Sequence, residues 1–176
     1  MITRYFFLIL LILPTFSFFK AHAQGLMISG GIGLKKQILA AFTDSTFEPT
    51  QKNRQGAAAY FFTTPLEMCS IRHRFEALYT MNKHYPDFKN WAFGWTPELL
   101  MPFSSLFYAT LGAGPYVKTA KTPASGTLFA VNMVLGFGIS CGPMALEAFL
   151  RHLSNAYTAK PNKGVDSYGL AIICTF

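Results

Sequence analysis

Phe129-Ala130-Val131-Asn132-Met133-Val134-Leu135-Gly136-Phe137-Gly138-Ile139-Ser140 reads large and small in turn. Phe129, Val131, Met133, Leu135, Phe137 and Ile139 share one parity. Ala130, Asn132, Gly136, Gly138 and Ser140 share the other, with Val134 the exception. A period of two is the signature of a strand, whose successive side chains point to opposite faces. The same inversion recurs upstream. Ile71, Phe75, Ala77 and Tyr79 oppose Arg72, Arg74, Glu76 and Thr80, and Trp91, Phe93, Trp95 and Leu99 oppose Thr96 and Glu98. Bulky apolar groups on one face and small or charged groups on the other suit a closed barrel in lipid, apolar side outward. A soluble barrel of lipocalin type reverses the pattern, so the placement of the charges separates the two.

Working outward, turn residues cut the chain into eight such segments, at about 25–35, 56–66, 69–80, 91–102, 105–118, 127–140, 144–155 and 166–176. Short connections fall at Pro65–Met68, Pro102–Ser104 and Cys141–Pro143; longer polar ones fall at 37–55, 81–90, 119–126 and 156–165. Short turns alternating with long loops is the layout of a small outer-membrane barrel. The expected fold is therefore all-β, an eight-stranded antiparallel transmembrane β-barrel of the bacterial outer membrane. Its last strand alternates Tyr168, Leu170, Ile172 and Cys174 with Gly169, Ala171, Ile173 and Thr175. It stops on Phe176, a terminal aromatic similar to the C-terminal signature of such barrels. The inward set includes Arg72, Arg74, Arg151, Glu76, Glu98 and Glu147. Buried charges must be paired, so an ion-pair network is expected to plug the lumen. Eight strands leave an interior that side chains can fill, which argues against a channel.

Composition agrees. Of 176 residues, 51% are hydrophobic and only 13% charged, against roughly a quarter charged in an ordinary soluble domain. Disorder is excluded, because it needs low hydrophobicity and high charge. A helical membrane bundle is excluded as well, since no stretch beyond the N-terminus runs long enough without a polar interruption. The N-terminus reads as an export signal. Arg4 precedes the apolar stretch Tyr5–Phe19, and Ala21-His22-Ala23 is a small-x-small cleavage site. Residues 1–23 are thus expected to be cleaved, leaving 24–176 as a single barrel domain. Loss of Arg4 and Lys20 lowers the net charge of +7 by two. What remains is scattered rather than gathered into a nucleic-acid-binding face. Cys69, Cys141 and Cys174 lie far apart without metal-ligand spacing, so neither a metal nor a cofactor is expected. The favoured reading of the three is small apolar residues, buried or lipid-facing; any disulfide that forms is expected between Cys141 and Cys174.

Three polar residues break the apolar face. In the seventh segment the outward parity of Leu146, Ala148 and Leu150 continues to His152 and Ser154. In the eighth, the outward parity of Tyr168 to Phe176 extends back to Asp166. Ionisable groups on a lipid face are costly and call for an explanation. Residues two apart on a strand are separated by roughly 6.6 Å, which an imidazole can span to reach a hydroxyl. A carboxylate from the neighbouring strand can hold the other ring nitrogen. Ser154 as nucleophile, His152 as base and Asp166 as orienter make acyl transfer. The alternative is an interfacial girdle in which these residues only meet head groups.

Arg151-His152-Leu153-Ser154-Asn155-Ala156, followed by Lys160-Pro161-Asn162-Lys163-Gly164-Val165-Asp166-Ser167-Tyr168, resembles the active-site hairpin of the outer-membrane lipid A 3-O-deacylases (PagL family). The shared pattern is H-x-S-N-A, a short P-N-x-G loop, then an acid-Ser-Tyr opening the last strand. The strong match covers the end of the chain. Elsewhere the agreement lies in strand number and in Gly112-x-Gly114 and Gly136-x-Gly138. The resemblance implies a serine esterase that removes an ester-linked acyl chain of lipid A, so the partners are lipopolysaccharide and outer-membrane lipid, without nucleic acid. It also implies that Asn155 helps form the oxyanion hole. One position departs: better-known members carry Glu where this chain has Asp166, one methylene shorter. Lys160 and Lys163 are candidates to meet lipid A phosphates, against ordinary solvated loop charge. A non-enzymatic barrel, a phospholipase with the same residues, and pairing of barrels as a homodimer stay open on the sequence.

Overall fold

The structure, a computed structural model, describes residues 23–33, 53–82, 90–121, 127–156, 158 and 164–176. Alternating segments become strands because a pleated ribbon with one apolar face can bury its other face only by closing on itself. The strands are β1 (Gln24–Gly33), β2 (Asn53–Pro65), β3 (Ser70–Asn82), β4 (Asn90–Pro102), β5 (Phe107–Lys118), β6 (Phe129–Cys141), β7 (Met144–Ser154) and β8 (Val165–Thr175). Each pairs antiparallel with the next, and β1 pairs with β8 from Gly25↔Thr175 to Gly33↔Ser167, which closes the barrel. The expected segments agree to within about three residues. The largest difference is the start of β2, at Asn53 rather than 56; the starts of β5 and β6 and the end of β3 each differ by two. Residues 34–35, expected to end the first strand, lie outside the described residues, as does the expected signal apart from Ala23.

The tightest connection joins β6 to β7 through Gly142 and Pro143, with Cys141 paired to Met144. Gly142 has φ 60°, and proline fixes the next φ negative, so this is the two-residue type II′ hairpin that glycine permits.

Parity is kept throughout. Leu26, Ile28, Trp91, Phe93, Leu111, Leu135, Phe137, Leu170 and Ile172 stand exposed on the outer wall. The interior holds two apolar clusters, one around Met27, Phe61, Val134 and Phe149, the other around Leu78, Tyr116 and Ala130. Val134, the exception to the alternation of its strand, is thus an inward core residue.

The remaining interior is a buried polar network. Arg72 Nε donates to Glu98 Oε2 at 2.5 Å and its Nη2 to Glu147 Oε2 at 2.9 Å. Arg151 Nη2 donates to Glu76 Oε1 at 2.7 Å, and the Tyr116 hydroxyl donates to Glu76 Oε2 at 2.7 Å. Arg74 Nη2 lies 2.9 Å from Glu98 Oε1, an ion pair by distance whose angles fall short of a hydrogen bond. Asn132 Nδ2 donates to Thr96 Oγ1 at 3.0 Å. All six charges expected to face inward therefore do so in mutual contact. Large side chains fit because glycines face them across the ladder: a Cβ at Gly94 or Gly138 would overlap the ring of its direct partner, Tyr116 or Tyr108.

The three cysteines are free, which corrects the suggested Cys141–Cys174 pair. These residues sit on β6 and β8, with Met144 of β7 paired to both. Two ladder spacings put them about 10 Å apart, beyond the roughly 7 Å that a disulfide allows between Cα atoms. Both are exposed on the outer wall, as the small-apolar reading has it.

Candidate active site

The register decides which residues of β7 and β8 can meet. His152 is paired directly with Asp166, Arg151 with Ser167 and Leu150 with Tyr168. Directly opposed residues of an antiparallel pair project to the same face with Cβ atoms about 5 Å apart, close enough for a short carboxylate. Asp166 Oδ1 lies 2.6 Å from His152 Nδ1. The missing methylene thus costs no reach in this hairpin. With Asp166 ionised, Nδ1 carries the proton and donates it, which leaves Nε2 as the basic nitrogen.

Ser154 follows on the parity of His152. Leu153, between them, points inward and packs against the Leu78–Tyr116 cluster. Ser167, next to Asp166, also points inward, where its Oγ donates to Gln55 Oε1 at 2.7 Å. Residues 152, 154 and 166 therefore share one face, and 153 and 167 the other. One feature differs from a site lying bare on the wall. His152, Ser154 and Asp166 are only 0%, 7% and 2% exposed, whereas Tyr168 and Leu170 just below are about half exposed. A carboxylate open to hydrocarbon would be costly, and the hydrogen bond from His152 offsets part of that cost.

After Ser154 the chain turns sharply. The Asn155 carbonyl accepts from Thr158 N–H at 3.1 Å and from its Oγ1 at 2.7 Å, while Ala156 takes a left-handed φ of 50°. Such a φ costs a non-glycine residue on the order of 1–2 kcal/mol. The turn brings the Ala156 N–H to 3.5 Å from Ser154 Oγ. That is long for a hydrogen bond, so Oγ is held loosely. Asn155 is fully buried beside it. A basic imidazole nitrogen, a neighbouring hydroxyl, an orienting carboxylate and a buried carboxamide can together perform nucleophilic acyl transfer. Lys160 and Lys163 lie outside the described residues. Among the described residues no cluster of His, Cys, Asp and Glu suits a metal ion.

His73 shows what an outward histidine without this setting does. It stacks between Phe62, at 4.7 Å, and Trp95, at 6.0 Å, on the far wall.

Below the site a groove of about 1010 Å³ runs down the outer wall, bordered by Ile32, Tyr168, Leu150, Leu135, Phe137 and Phe103. It exists because Ala148 and Gly30 are small where their neighbours are large: one row of the ladder reads Gly30, Leu170, Ala148, Phe137, Ala109. Its upper end meets the site, for Leu150 precedes His152 by two residues and Tyr168 follows Asp166 by two. Sequence parity identifies this wall as apolar but not as hollow, because relief depends on which small residues become lateral neighbours.

Residues 69–173 match the family model described as lipid A 3-O-deacylase (PagL). Among solved structures the chain is similar to the crystal structure of the outer membrane enzyme PagL, with 14% identity and a TM-score of 0.59, covering 84% of this chain and 98% of that one. It is also similar to the Yersinia pestis outer membrane protein Ail in a phospholipid bilayer nanodisc, with 11% identity and a TM-score of 0.48, covering 86% and 99%. No curated protein sequence matches the chain.

Proposed function

Because the chain belongs to the lipid A 3-O-deacylase (PagL) family, we propose that it is a serine esterase of the outer membrane that removes the 3-position acyl chain of lipid A. The observation that carries this reading is the 2.6 Å contact of His152 with Asp166 on the face that also bears Ser154. In the proposed reaction His152 Nε2 takes the proton of Ser154 Oγ as the oxygen attacks the ester carbonyl. Negative charge develops on the carbonyl oxygen, where the Asn155 carboxamide stabilises it. The imidazolium, steadied by Asp166, returns its proton to the departing sugar oxygen as the ester C–O bond breaks. Water, deprotonated by the same imidazole, then attacks the acyl-serine and frees the fatty acid.

The barrel reaches its station by export through residues 1–23, with the long loops outside and the site at the outer leaflet. The substrate need not enter the lumen, which the Arg72–Glu98–Glu147 network fills. Its acyl chain reaches Ser154 along the outer groove.

Purified protein mixed with lipopolysaccharide in detergent tests the reading. Release of a fatty acid by the parent and its loss in Ser154→Ala is the expected result. Equal release by both would remove Ser154 from the reaction, and release only from phospholipid would change the substrate class.

A further inference from the structure

Phe103 sits in the short turn between β4 and β5, 65% exposed, yet its ring is not loose. It stacks on Phe137 of β6 with centroids 6.4 Å apart, and Phe107 stacks on the same ring at 6.0 Å. Three aromatic rings from two strands and a turn thus make one continuous shelf. Phe103 and Phe137 both border the groove, at the end away from His152. Phe137 is the direct partner of Ala148, the low point of the wall on β7.

We propose that this shelf, resting on the deacylase reading above, sets the acyl length the enzyme prefers. Ala148 lies six residue steps before Ser154 on β7, about 20 Å at roughly 3.3 Å per residue. With strands tilted about 40°, that is a depth of about 15 Å. Half of a hydrocarbon core about 30 Å thick is the same figure. A chain held at Ser154 therefore runs down β7, reaches Ala148 and its partner Phe137 near the bilayer midplane, and meets Phe103 beyond them toward the β4–β5 turn.

Selection here comes from shape. Lipid tails are as apolar as the groove, so an extra methylene gains no hydrophobic transfer energy by lying in it. A chain that ends at the shelf packs along its whole length against Leu150, Ala148 and Phe137. A longer chain must bend out past the rings. Closed pockets discriminate a single methylene by about 10- to 200-fold; a groove open on one side gives less, on the order of threefold to tenfold for a few methylenes.

The experiment compares turnover of a graded series of saturated acyl esters of glucosamine by the parent, Phe103→Ala and Ala148→Phe. Phe103→Ala removes an exposed ring in a turn, and Ala148→Phe exchanges one apolar residue for another on the outer wall, so both leave the barrel able to fold. Removing the ring is expected to raise the long-to-short ratio threefold to tenfold, and filling the groove to lower it by a similar factor. Phe93→Ala on the far wall should leave the ratio unchanged. Ratios that move in neither groove variant would overturn the shelf. A parent that cleaves no ester would instead overturn the deacylase reading. The shelf is then read by labelling: an acyl ester with a photoreactive terminal carbon, bound to Ser154→Ala protein in micelles, should mark Phe103 and Phe137. Labels spread around the barrel, onto Trp91 and Phe93 as much as Phe103, would overturn it too.

Discussion

Replacing Asp166 by Asn is the substitution whose effect the geometry sizes best. The carboxylate lies 2.6 Å from His152 Nδ1, and both side chains are almost wholly buried. When His152 accepts the serine proton it becomes a cation whose charge centre is about 4 Å from that carboxylate. At an effective dielectric of about 20 the attraction is about 4 kcal/mol, or about three powers of ten in rate. An amide removes this attraction. It can also offer its N–H to Nδ1, which stabilises the wrong tautomer; in a serine protease the same exchange costs about 10⁴. Asp166→Asn should therefore lower kcat/KM for acyl release by roughly 10³- to 10⁴-fold, with the barrel intact. Release of fatty acid from lipid A in micelles measures the rate. The mobility shift between unheated and boiled protein on a gel checks folding. Asp166→Glu restores the acid of better-known relatives but adds a methylene to a contact already made, and a displacement of ~1 Å costs up to about 10²-fold. A folded Asp166→Asn protein within tenfold of the parent would refute the reasoning and take Asp166 out of the mechanism.

Other consequences follow from the same structure. Glu98→Gln leaves Arg74 without its carboxylate and removes one of the two that hold Arg72, so unfolding in denaturant should show a loss of about 3–5 kcal/mol; an unchanged midpoint would mean that the network is hydrated. Ala156→Gly should be neutral or stabilising by up to about 1 kcal/mol, whereas Ala156→Val forces a β-branched residue to the left-handed φ of 50° and should lower both stability and turnover. If the long connections face outward, protease added to intact cells should cut within 34–52 or 83–89; cutting only after the membrane is permeabilised would put the site in the wrong leaflet.

Much of the fold was legible because a barrel wall imposes a single rule, period two, on every strand. Glu98 and Arg72 could be assigned to the lumen from parity alone, and the need to pair buried charges implied a network there without saying which charge meets which. The placing of the candidate site residues on one face was legible for the complementary reason: His152, Ser154 and Asp166 break that rule at neighbouring ends of consecutive strands. Their burial was not legible, since parity gives the direction of a side chain and says nothing of what shields it. The cysteine pairing failed on lateral order. Cys141 and Cys174 lie at the same end of the barrel, but a whole strand separates them, with Met144 between. The groove and its aromatic shelf escaped for a related reason. Phe103 reads as one more apolar turn residue, and only the register brings Phe137, Ala148 and Leu170 side by side.

The central claim is that Ser154 on the outer wall removes an acyl chain from lipid A. Mass spectrometry of lipid A from cells producing the parent, the Ser154→Ala variant or no such protein tests it most directly. The parent should yield lipid A lighter by one ester-linked acyl group at the 3-position, with Ser154→Ala indistinguishable from cells that lack the protein. Identical lipid A in all three, with the parent folded in the outer membrane, would contradict the account.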